Sequence, residues 1–380
     1  MIKRTVTPKI KKLSALYPVI AITGPRQSGK TTLAREIFSD YLYLNLENLD
    51  LLLAARTDPR NFLHLGSGQK IIIDEIQHLP DLFSYIQTEV DERKIPGQFV
   101  ITGSQQFELS EKISQSLAGR VANFTLLPLS ICELGNIPEY EKLAVDGFYP
   151  RIYDRPIPPK DYYRDYVSTY VERDVRQIKN IGDLSSFQRF LQLVAGRVGQ
   201  IVNFSSLASD AGINHRTAES WLSILEASYI IFRLQPYFRN FGKRVIKSPK
   251  LYFYDTGLLC YLLGIDNSKG LSVHYAIGSI FENMIIADSL KHLCNERSSD
   301  KLYFFRDNNG LELDLIIDHN GVQKGIEIKS GRTFNSEMLS GLVTWQKLNA
   351  HADKTGYLVY NGELEQKMGT NKIVNWKSFV

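Results

Sequence analysis

The amino-acid sequence predicts an α/β protein with a parallel sheet in its N-terminal part. One observation is a full match to the pattern GxxxxGK[ST] at residues 24–31, between an apolar run at 19–22 and a helical pattern at 31–38, which predicts a P-loop NTPase domain. Another is a set of short apolar runs that end in polar residues, among them residues 41–45 and 70–75. Such runs are typical of buried parallel strands, whose carboxyl ends lie beside bound phosphates.

The phosphate-binding loop offers several kinds of contact to a nucleotide. Its glycines let successive backbone N–H groups turn toward the β-phosphate, and the start of the following helix adds the positive end of its dipole. Lys30 supplies a point charge, and Thr31 can ligate Mg²⁺. The loop pattern fits ATP or GTP. The predicted nucleotide-binding residues are Gly24, Pro25, Arg26, Gln27, Ser28, Gly29, Lys30, Thr31 and Thr32.

A Walker B pattern follows at residues 70–75, which read Lys-Ile-Ile-Ile-Asp-Glu. In this pattern Asp74 would hold Mg²⁺ through water, and Glu75 would polarise the attacking water. The alternative is a plain strand that ends in a polar loop. Because a complete phosphate-binding loop precedes it, we interpret the acid pair as catalytic.

Two further polar positions belong to the same predicted domain. A buried strand at residues 99–102 is followed by Ser104, which can sense the γ-phosphate, with Thr102 and Gln105 as alternatives. Arg120 precedes the predicted last strand. It would act as an arginine finger, in cis or on a neighbouring subunit of a homo-oligomer, or else form an ordinary surface ion pair.

The order of these motifs resembles that of the AAA-type ATPases of bacteria and archaea that carry a C-terminal domain of unknown function. After the loop come the motifs Ile-Asp-Glu, Thr-Gly-Ser-Gln, Leu-Ala-Gly-Arg and Pro-Leu-Ser-x-x-Glu. The last of these motifs comprises Pro128, Leu129, Ser130 and Glu133. The resemblance covers nearly the whole chain. It implies an ATP-binding protein that is similar in part to archaeal origin-recognition and STAND-type ATPases.

The middle of the chain is basic. Residues 151–275 contain 17 Lys and Arg against 11 Asp and Glu, whereas the net charge of the whole chain is +4. This local excess predicts contact with phosphate backbones, or else a solvated helical surface. Residues 150–159 are rich in proline and predict a linker at the start of the region.

A DNA-binding element is predicted inside the basic region. Residues 203–227 resemble a helix-turn-helix, and residues 229–234 would form the first strand of a wing. Arg216 is then an exposed candidate for a phosphate or base contact. The basic run Arg239, Lys243, Arg244, Lys247 and Lys250 adds to this prediction. Winged helices in ATPases also serve as protein-binding modules, which remains the alternative.

The last region contains a second group of charged residues. Residues 311–317 and 324–330 alternate apolar and charged residues, which predicts the two strands of a hairpin. Glu327 and Lys329 are two positions apart and therefore share one strand face. Asp314 can meet them from the paired strand.

This arrangement looks like the D-(x)n-ExK core of the restriction-endonuclease fold, with Glu282 matching its helix acid. The resemblance implies that Glu282, Asp314 and Glu327 bind Mg²⁺, and that Lys329 orients the nucleophile or stabilises charge. A nuclease fold that no longer cuts, or a solvated sheet face, is the alternative.

Composition excludes some classes of protein. Hydrophobic residues make up 43% of the chain and charged residues 23%, with no apolar run long enough to span a bilayer. The cysteines Cys132, Cys260 and Cys294 lack metal-ligand spacing and predict reduced thiols in a cytoplasmic protein.

The sequence thus predicts three domains and two possible functions. The domains are a P-loop ATPase at 1–150, a helical and winged-helix domain at 151–275, and a restriction-endonuclease-like α/β domain at 276–380. The expected ligands are ATP, Mg²⁺ and DNA, without a membrane partner. The protein would be either an ATP-fuelled nucleic-acid enzyme or an ATP-switched DNA-binding or signalling protein whose last domain only binds.

Overall fold

The computed structural model describes residues 2–66, 68–104, 116–155, 157–175, 183–238, 246–349 and 351–379. Within these residues the chain forms two compact units. The first comprises Met1–Leu129, Ala227–Tyr229 and Cys294–Arg297, and the second comprises Ser130–Glu226, Ile230–Leu293 and Ser298–Val380. Among the helices of the described part, none is both long enough and apolar enough to cross a membrane.

The first unit is built on a parallel sheet. Its described strands are β1 (Val19–Thr23), β2 (Leu42–Asn45), β3 (Ile71–Asp74), β4 (Phe99–Gly103) and β5 (Val121–Thr125). They lie in the order β2-β3-β4-β1-β5, and all four neighbouring pairs are parallel. The helices of this unit are α1 (Thr7–Ser14), α2 (Lys30–Ile37), α3 (Leu49–Thr57), α4 (Pro59–His64) and α5 (Leu82–Arg93). The five strands predicted from apolar runs are confirmed.

Alternation along the strands gives this sheet a core on each face. Ile20 and Ile22 pack in one cluster with Leu33 of α2. Ala21 lies between them in sequence and packs in the other cluster with Ile86 of α5. Because successive strand residues point to opposite faces, a run of apolar residues is needed to cover both. Because β1, β3 and β4 are parallel, the polar residues that end them lie at one edge of the sheet.

The second unit contains the remaining elements. Its helices are α6 (Tyr140–Asp146), α7 (Pro150–Asp154), α8 (Pro159–Tyr166) with the π-helix Val167–Val175, α9 (Leu184–Ala195), α10 (Phe204–Ala211), α11 (His215–Ala227), α12 (Thr256–Leu262), α13 (Ser268–Ser272), α14 (Ile277–Glu296), α15 (Ser340–Leu348) and α16 (Trp376–Phe379). Its strands are β6 (Ile231–Pro236), β7 (Lys250–Phe253), β8 (Lys301–Arg306), β9 (Glu312–His319), β10 (Val322–Lys329), β11 (Tyr357–Tyr360), β12 (Gln366–Met368) and β13 (Asn371–Asn375). The C-terminal residues of α11 and α14 belong to the first unit.

One described sheet includes strands from both the predicted middle and the predicted C-terminal domain. Its order is β12-β13-β11-β10-β9-β8-β6-β7, and β6 pairs in parallel with β8. Helix α15 packs closely on β10, since a Cβ added to Gly325 would lie 2.8 Å from the Leu342 and Trp345 side chains. The division into three domains and the winged-helix assignment stay predictions.

The prediction of a linker at residues 150–159 is wrong at both ends of that range, where helices begin. Pro150 begins α7 and Pro159 begins α8, each at the start of a helix. Proline is well suited to the first helical position, because its fixed φ matches the helix and its missing N–H would have no partner there. A proline-rich stretch can therefore mark helix starts as well as a linker. Further along, Tyr162, Tyr166 and Tyr170 follow one another at the spacing of one helical turn, and all three are buried.

The helix-turn-helix predicted at residues 203–227 has the expected local structure. Helix α10 ends at Ala211 and is followed by Gly212, which has a left-handed conformation with φ of 71°. The Asn214 side chain then accepts a 2.8 Å hydrogen bond from the Thr217 N–H and caps α11. Arg216 is exposed on this helix. In the predicted basic run, Arg239, Lys243 and Arg244 lie outside the described residues.

Candidate functional site

The loop between β1 and α2 is shaped by its glycines. At Gly24, φ is 147° and an added Cβ would lie 2.2 Å from the Leu126 carbonyl oxygen, so no side chain fits. Gly29 is left-handed with φ of 95° and stands at the start of α2, without a side chain to cap the helix. The first N–H groups of α2 therefore remain available to an anion.

Lys30 is buried under this loop. Its Nζ donates to the carbonyl oxygens of Gly24 and Pro25 at 3.0 and 2.7 Å. Burial lowers the pKa of Lys30 to about 8, against the opposing effect of the Glu75 and Asp74 carboxylates. A phosphate oxygen carries more negative charge than these two carbonyl oxygens. The site therefore favours an anion beside the Lys30 ammonium.

Asp74 lies at the end of β3 and is surrounded by hydroxyl groups. Thr31 Oγ1 lies 3.0 Å from both of its carboxylate oxygens. The Tyr43 hydroxyl donates to Oδ2 at 2.6 Å, and Thr102 donates to Oδ1. A loop hydroxyl and a Walker B carboxylate thus meet as the sequence predicts. These oxygen donors suit a hard divalent cation.

Glu75 follows in a left-handed conformation with φ of 56°. Its N–H donates to Thr102 Oγ1 at 3.3 Å, and its carboxylate accepts from Ser104 Oγ at 3.3 and 3.4 Å. The Gln77 side-chain amide also donates to this carboxylate. A non-glycine residue in this conformation is uncommon and is often found at functional sites. Ser104 therefore contacts the candidate base.

The second unit holds the charged residues predicted on β9 and β10. Lys329 Nζ lies 2.5 Å from Glu327 Oε1 and 3.4 Å from Asp314 Oδ2. Asp314 Oδ2 also accepts the Ile328 N–H at 2.8 Å. The predicted meeting of Asp314, Glu327 and Lys329 is confirmed. Burial, together with the Asp314 charge, raises the pKa of Glu327 to about 8.

Glu282 is engaged by other partners. Its Oε1 accepts from Lys250 Nζ at 3.0 Å and from the Tyr252 hydroxyl at 2.5 Å. Lys250 also pairs with Glu312 at 2.5 Å and is 2% exposed. Burial raises the pKa of Glu282. Among the described residues, no group of three or more His, Cys, Asp or Glu is placed to hold a metal ion.

Comparison with known proteins shows the family of this chain. Residues 16–135 match an AAA domain, residues 137–269 match a domain of unknown function (DUF8612), and residues 277–379 match a domain of unknown function (DUF4143). An uncharacterized protein of Mycobacterium tuberculosis is 32% identical over 348 residues, which are 90% of this chain and 78% of that protein. The chain belongs to a family of AAA-type P-loop ATPases with a C-terminal DUF4143 domain.

Two more distant similarities are also found. An uncharacterized protein of Haemophilus influenzae is 26% identical over 312 residues, which are 71% of this chain and 74% of that protein. A Walker-type ATPase of Pyrococcus abyssi is 12% identical with a TM-score of 0.45, covering 69% of this chain and 96% of that chain. In this chain, the residues that match the AAA domain include the loop, Asp74, Glu75 and Ser104. The residues that match DUF4143 include Glu282, Asp314, Glu327 and Lys329.

The remaining candidates of the AAA domain have different surroundings. Arg120 forms a two-point ion pair with Asp91, at 2.5 and 2.8 Å. An ordinary surface ion pair is the alternative that the sequence predicts for Arg120. Its role as an arginine finger on a second subunit stays a prediction. Gln105 lies outside the described residues. The roles of Arg26, Gln27 and Thr32 in nucleotide binding also stay predictions.

Sequence reasoning missed three residues that contact the candidate sites. Arg4 donates to the carbonyl oxygens of Ser28 and Leu127, at 2.8 Å each, and so fixes the back of the phosphate-binding loop. Tyr43 contacts Asp74, and Lys250 contacts Glu282. Arg4 and Tyr43 belong to no sequence motif, and Lys250 belongs to the basic run that adds to the prediction of DNA binding, although it is buried.

Proposed function

We propose that the AAA domain of this protein binds ATP together with Mg²⁺ and hydrolyses ATP. The observation that carries the proposal is the meeting of Thr31 and Asp74 at 3.0 Å, beside a glutamate held by Ser104. The phosphate-binding loop fits the nucleotide, and Thr31 with Asp74 would hold the metal, Asp74 through water. Bound Mg²⁺ would neutralise charge on the β- and γ-phosphates.

Each residue then has a defined task. Lys30 exchanges its carbonyl partners for phosphate oxygens. Glu75 accepts a proton from the attacking water, and Ser104 keeps the Glu75 carboxylate in place by donating to both of its oxygens. The direct test is release of inorganic phosphate from ATP by the full chain in the presence of Mg²⁺. Binding of neither ATP nor Mg²⁺–ATP would refute the proposal.

ATP binding is expected to take up a proton at alkaline pH. Free Lys30 has a pKa of about 8 because it is buried, and phosphate contact raises that pKa. Binding therefore favours the protonated lysine, and affinity falls as pH rises through about 8. We therefore expect more proton uptake at pH 9 than at pH 7.

Calorimetry in buffers of different ionisation enthalpy measures this uptake, and the pH 7 titration is its internal control. Equal proton uptake at pH 7 and pH 9 would show that Lys30 is not the group in contact with the phosphates.

A second candidate function concerns DNA. The helix-turn-helix geometry of α10 and α11, with exposed Arg216 in a basic region, supports binding of duplex DNA through phosphate contacts. For the C-terminal domain we favour binding without cleavage, because lysines already pair with the three acids: Lys250 with Glu282, and Lys329 with Asp314 and Glu327. A plasmid cleavage assay with Mg²⁺, with and without ATP, distinguishes a domain that only binds from a metal-dependent nuclease that uses Asp314, Glu327 and Lys329.

The change Arg216→Ala should weaken DNA binding by the full chain about 5-fold and lower the salt dependence by about one phosphate contact. Glu219→Gln, an exposed change on the same helix, is the matched control and should not weaken binding. Fluorescence anisotropy over a series of salt concentrations measures both effects. Absence of DNA binding at low salt would favour a protein partner for this region.

A further inference from the structure

Tyr43 lies on β2, the edge strand of the parallel sheet, next to the Walker B strand. In the register of β2 and β3, Tyr43 is opposite Ile72 and Asn45 is opposite Asp74. The Tyr43 side chain reaches along the strand, and its hydroxyl donates to Asp74 Oδ2 at 2.6 Å. A hydrogen bond this short to a buried carboxylate is charge-assisted and stronger than a neutral one.

Each oxygen of the Asp74 carboxylate has one donor of its own, and both oxygens lie within hydrogen-bonding distance of Thr31. In the described part of the chain, Oδ1 accepts from Thr102 and Thr31, and Oδ2 accepts from Tyr43 and Thr31. Thr31 also has to offer its oxygen to the metal. Thr102 and Tyr43 are then the donors that fix the rotation of the carboxylate, one at each oxygen.

The surroundings of Tyr43 keep its hydroxyl a donor. Burial and the hydrogen bond to Asp74 raise the pKa of Tyr43 well above its usual value, although the guanidinium of Arg35 acts in the opposite direction. That guanidinium stacks 4.8 Å from the centre of the Tyr43 ring. The ring is thus held from one side by α2 while its hydroxyl holds Asp74.

A groove of about 520 Å³ opens beside this contact. Its lining includes Thr31 and Arg35 of α2, Tyr43 of β2, and Tyr41, which directly precedes β2. The two residues that donate to Asp74 Oδ2 are therefore both walls of one groove. Tyr41 lines the same groove but is not among the donors to Asp74 in the described part of the chain, which makes it a suitable control.

We propose that Tyr43 is a positioning residue for the magnesium site: it orients the Asp74 carboxylate for the water-mediated metal contact and thereby sets the Mg²⁺ affinity of the ATP-bound protein. This inference rests on the proposed ATPase function. Residues that orient metal ligands by hydrogen bonds typically change metal affinity when removed, while the ligands themselves stay in place.

The test is Tyr43→Phe in the full chain, with Tyr41→Phe as the matched control. The Mg²⁺ concentration that gives half-maximal tightening of ATP binding should rise about 10-fold in Tyr43→Phe. Affinity for ATP in EDTA should match that of the wild-type protein, and so should turnover at saturating Mg²⁺. Tyr41→Phe should leave all three quantities unchanged. Thr102→Val removes the other donor and should raise the Mg²⁺ midpoint in the same way.

An unchanged Mg²⁺ midpoint in Tyr43→Phe overturns the inference, provided that the wild-type protein shows Mg²⁺-dependent ATP binding. Equal loss of ATP affinity with and without Mg²⁺ also overturns it, since that pattern indicates a general disturbance of the loop. If the wild-type protein binds no Mg²⁺–ATP, the proposed function fails first. If Tyr43→Phe does not fold, an unchanged Mg²⁺ midpoint in Thr102→Val overturns the inference that donors to Asp74 set this midpoint. Turnover is not compared for Thr102→Val, because Thr102 also accepts the Glu75 N–H.

Discussion

Glu75→Gln is expected to lower the rate of ATP hydrolysis by about 10²- to 10⁴-fold and to leave ATP binding nearly unchanged. Glutamine has the shape of glutamate and still accepts a hydrogen bond from Ser104, but it cannot take a proton from water. Steady-state phosphate release gives the rate, and calorimetry gives the affinity. The effect should therefore appear in kcat and not in the binding constant.

Glu92→Gln is the matched control for this change. Glu92 is an exposed acid on α5 of the same unit, so the same change of charge there should leave turnover unaltered. Turnover of Glu75→Gln at the wild-type rate would show that another group activates the water.

Lys30→Ala should reduce ATP affinity by about 100-fold or more, since it removes a charged donor from the phosphates. Stability should respond differently. Burial lowers the pKa of Lys30, which means that the fold disfavours its charged form. We therefore expect the thermal midpoint of the nucleotide-free protein to stay the same or to rise.

Calorimetric titration with ATP and a thermal unfolding curve check the two parts of this prediction. Lys11→Ala, on the exposed side of α1, is the control for loss of a lysine. ATP affinity within about threefold of the wild-type value in Lys30→Ala would contradict the assignment of the loop.

The parts of the site that the sequence predicts are those encoded by local patterns. Gly24 and Gly29 are required by backbone conformation, and three isoleucines before Asp74 encode a strand buried on both faces. Parallel strands bring their carboxyl ends to one edge, so the meeting of Thr31 and Asp74 follows from topology. Likewise, the period of two along β10 predicts that Glu327 and Lys329 share a face.

The parts that the sequence does not predict depend on contacts between distant residues. Arg4 fixes the loop from before the first strand, and Tyr43 reaches Asp74 from an edge strand. No pattern in the adjacent sequence encodes these contacts. Lys250 lies in a basic run that is typical of a surface, yet it is buried against Glu282 and Glu312. Charge patterns show which residues are ionised but not which of them are paired.

The most direct test of the ATPase account is the identity of the nucleotide that stays bound after ATP and Mg²⁺ are added and free nucleotide is removed by rapid desalting. The Glu75→Gln protein should retain ATP, whereas the wild-type protein should hold ADP or no nucleotide. Recovery of ADP from Glu75→Gln in the same proportion as from the wild-type protein would contradict the central claim that this AAA domain hydrolyses ATP through Glu75.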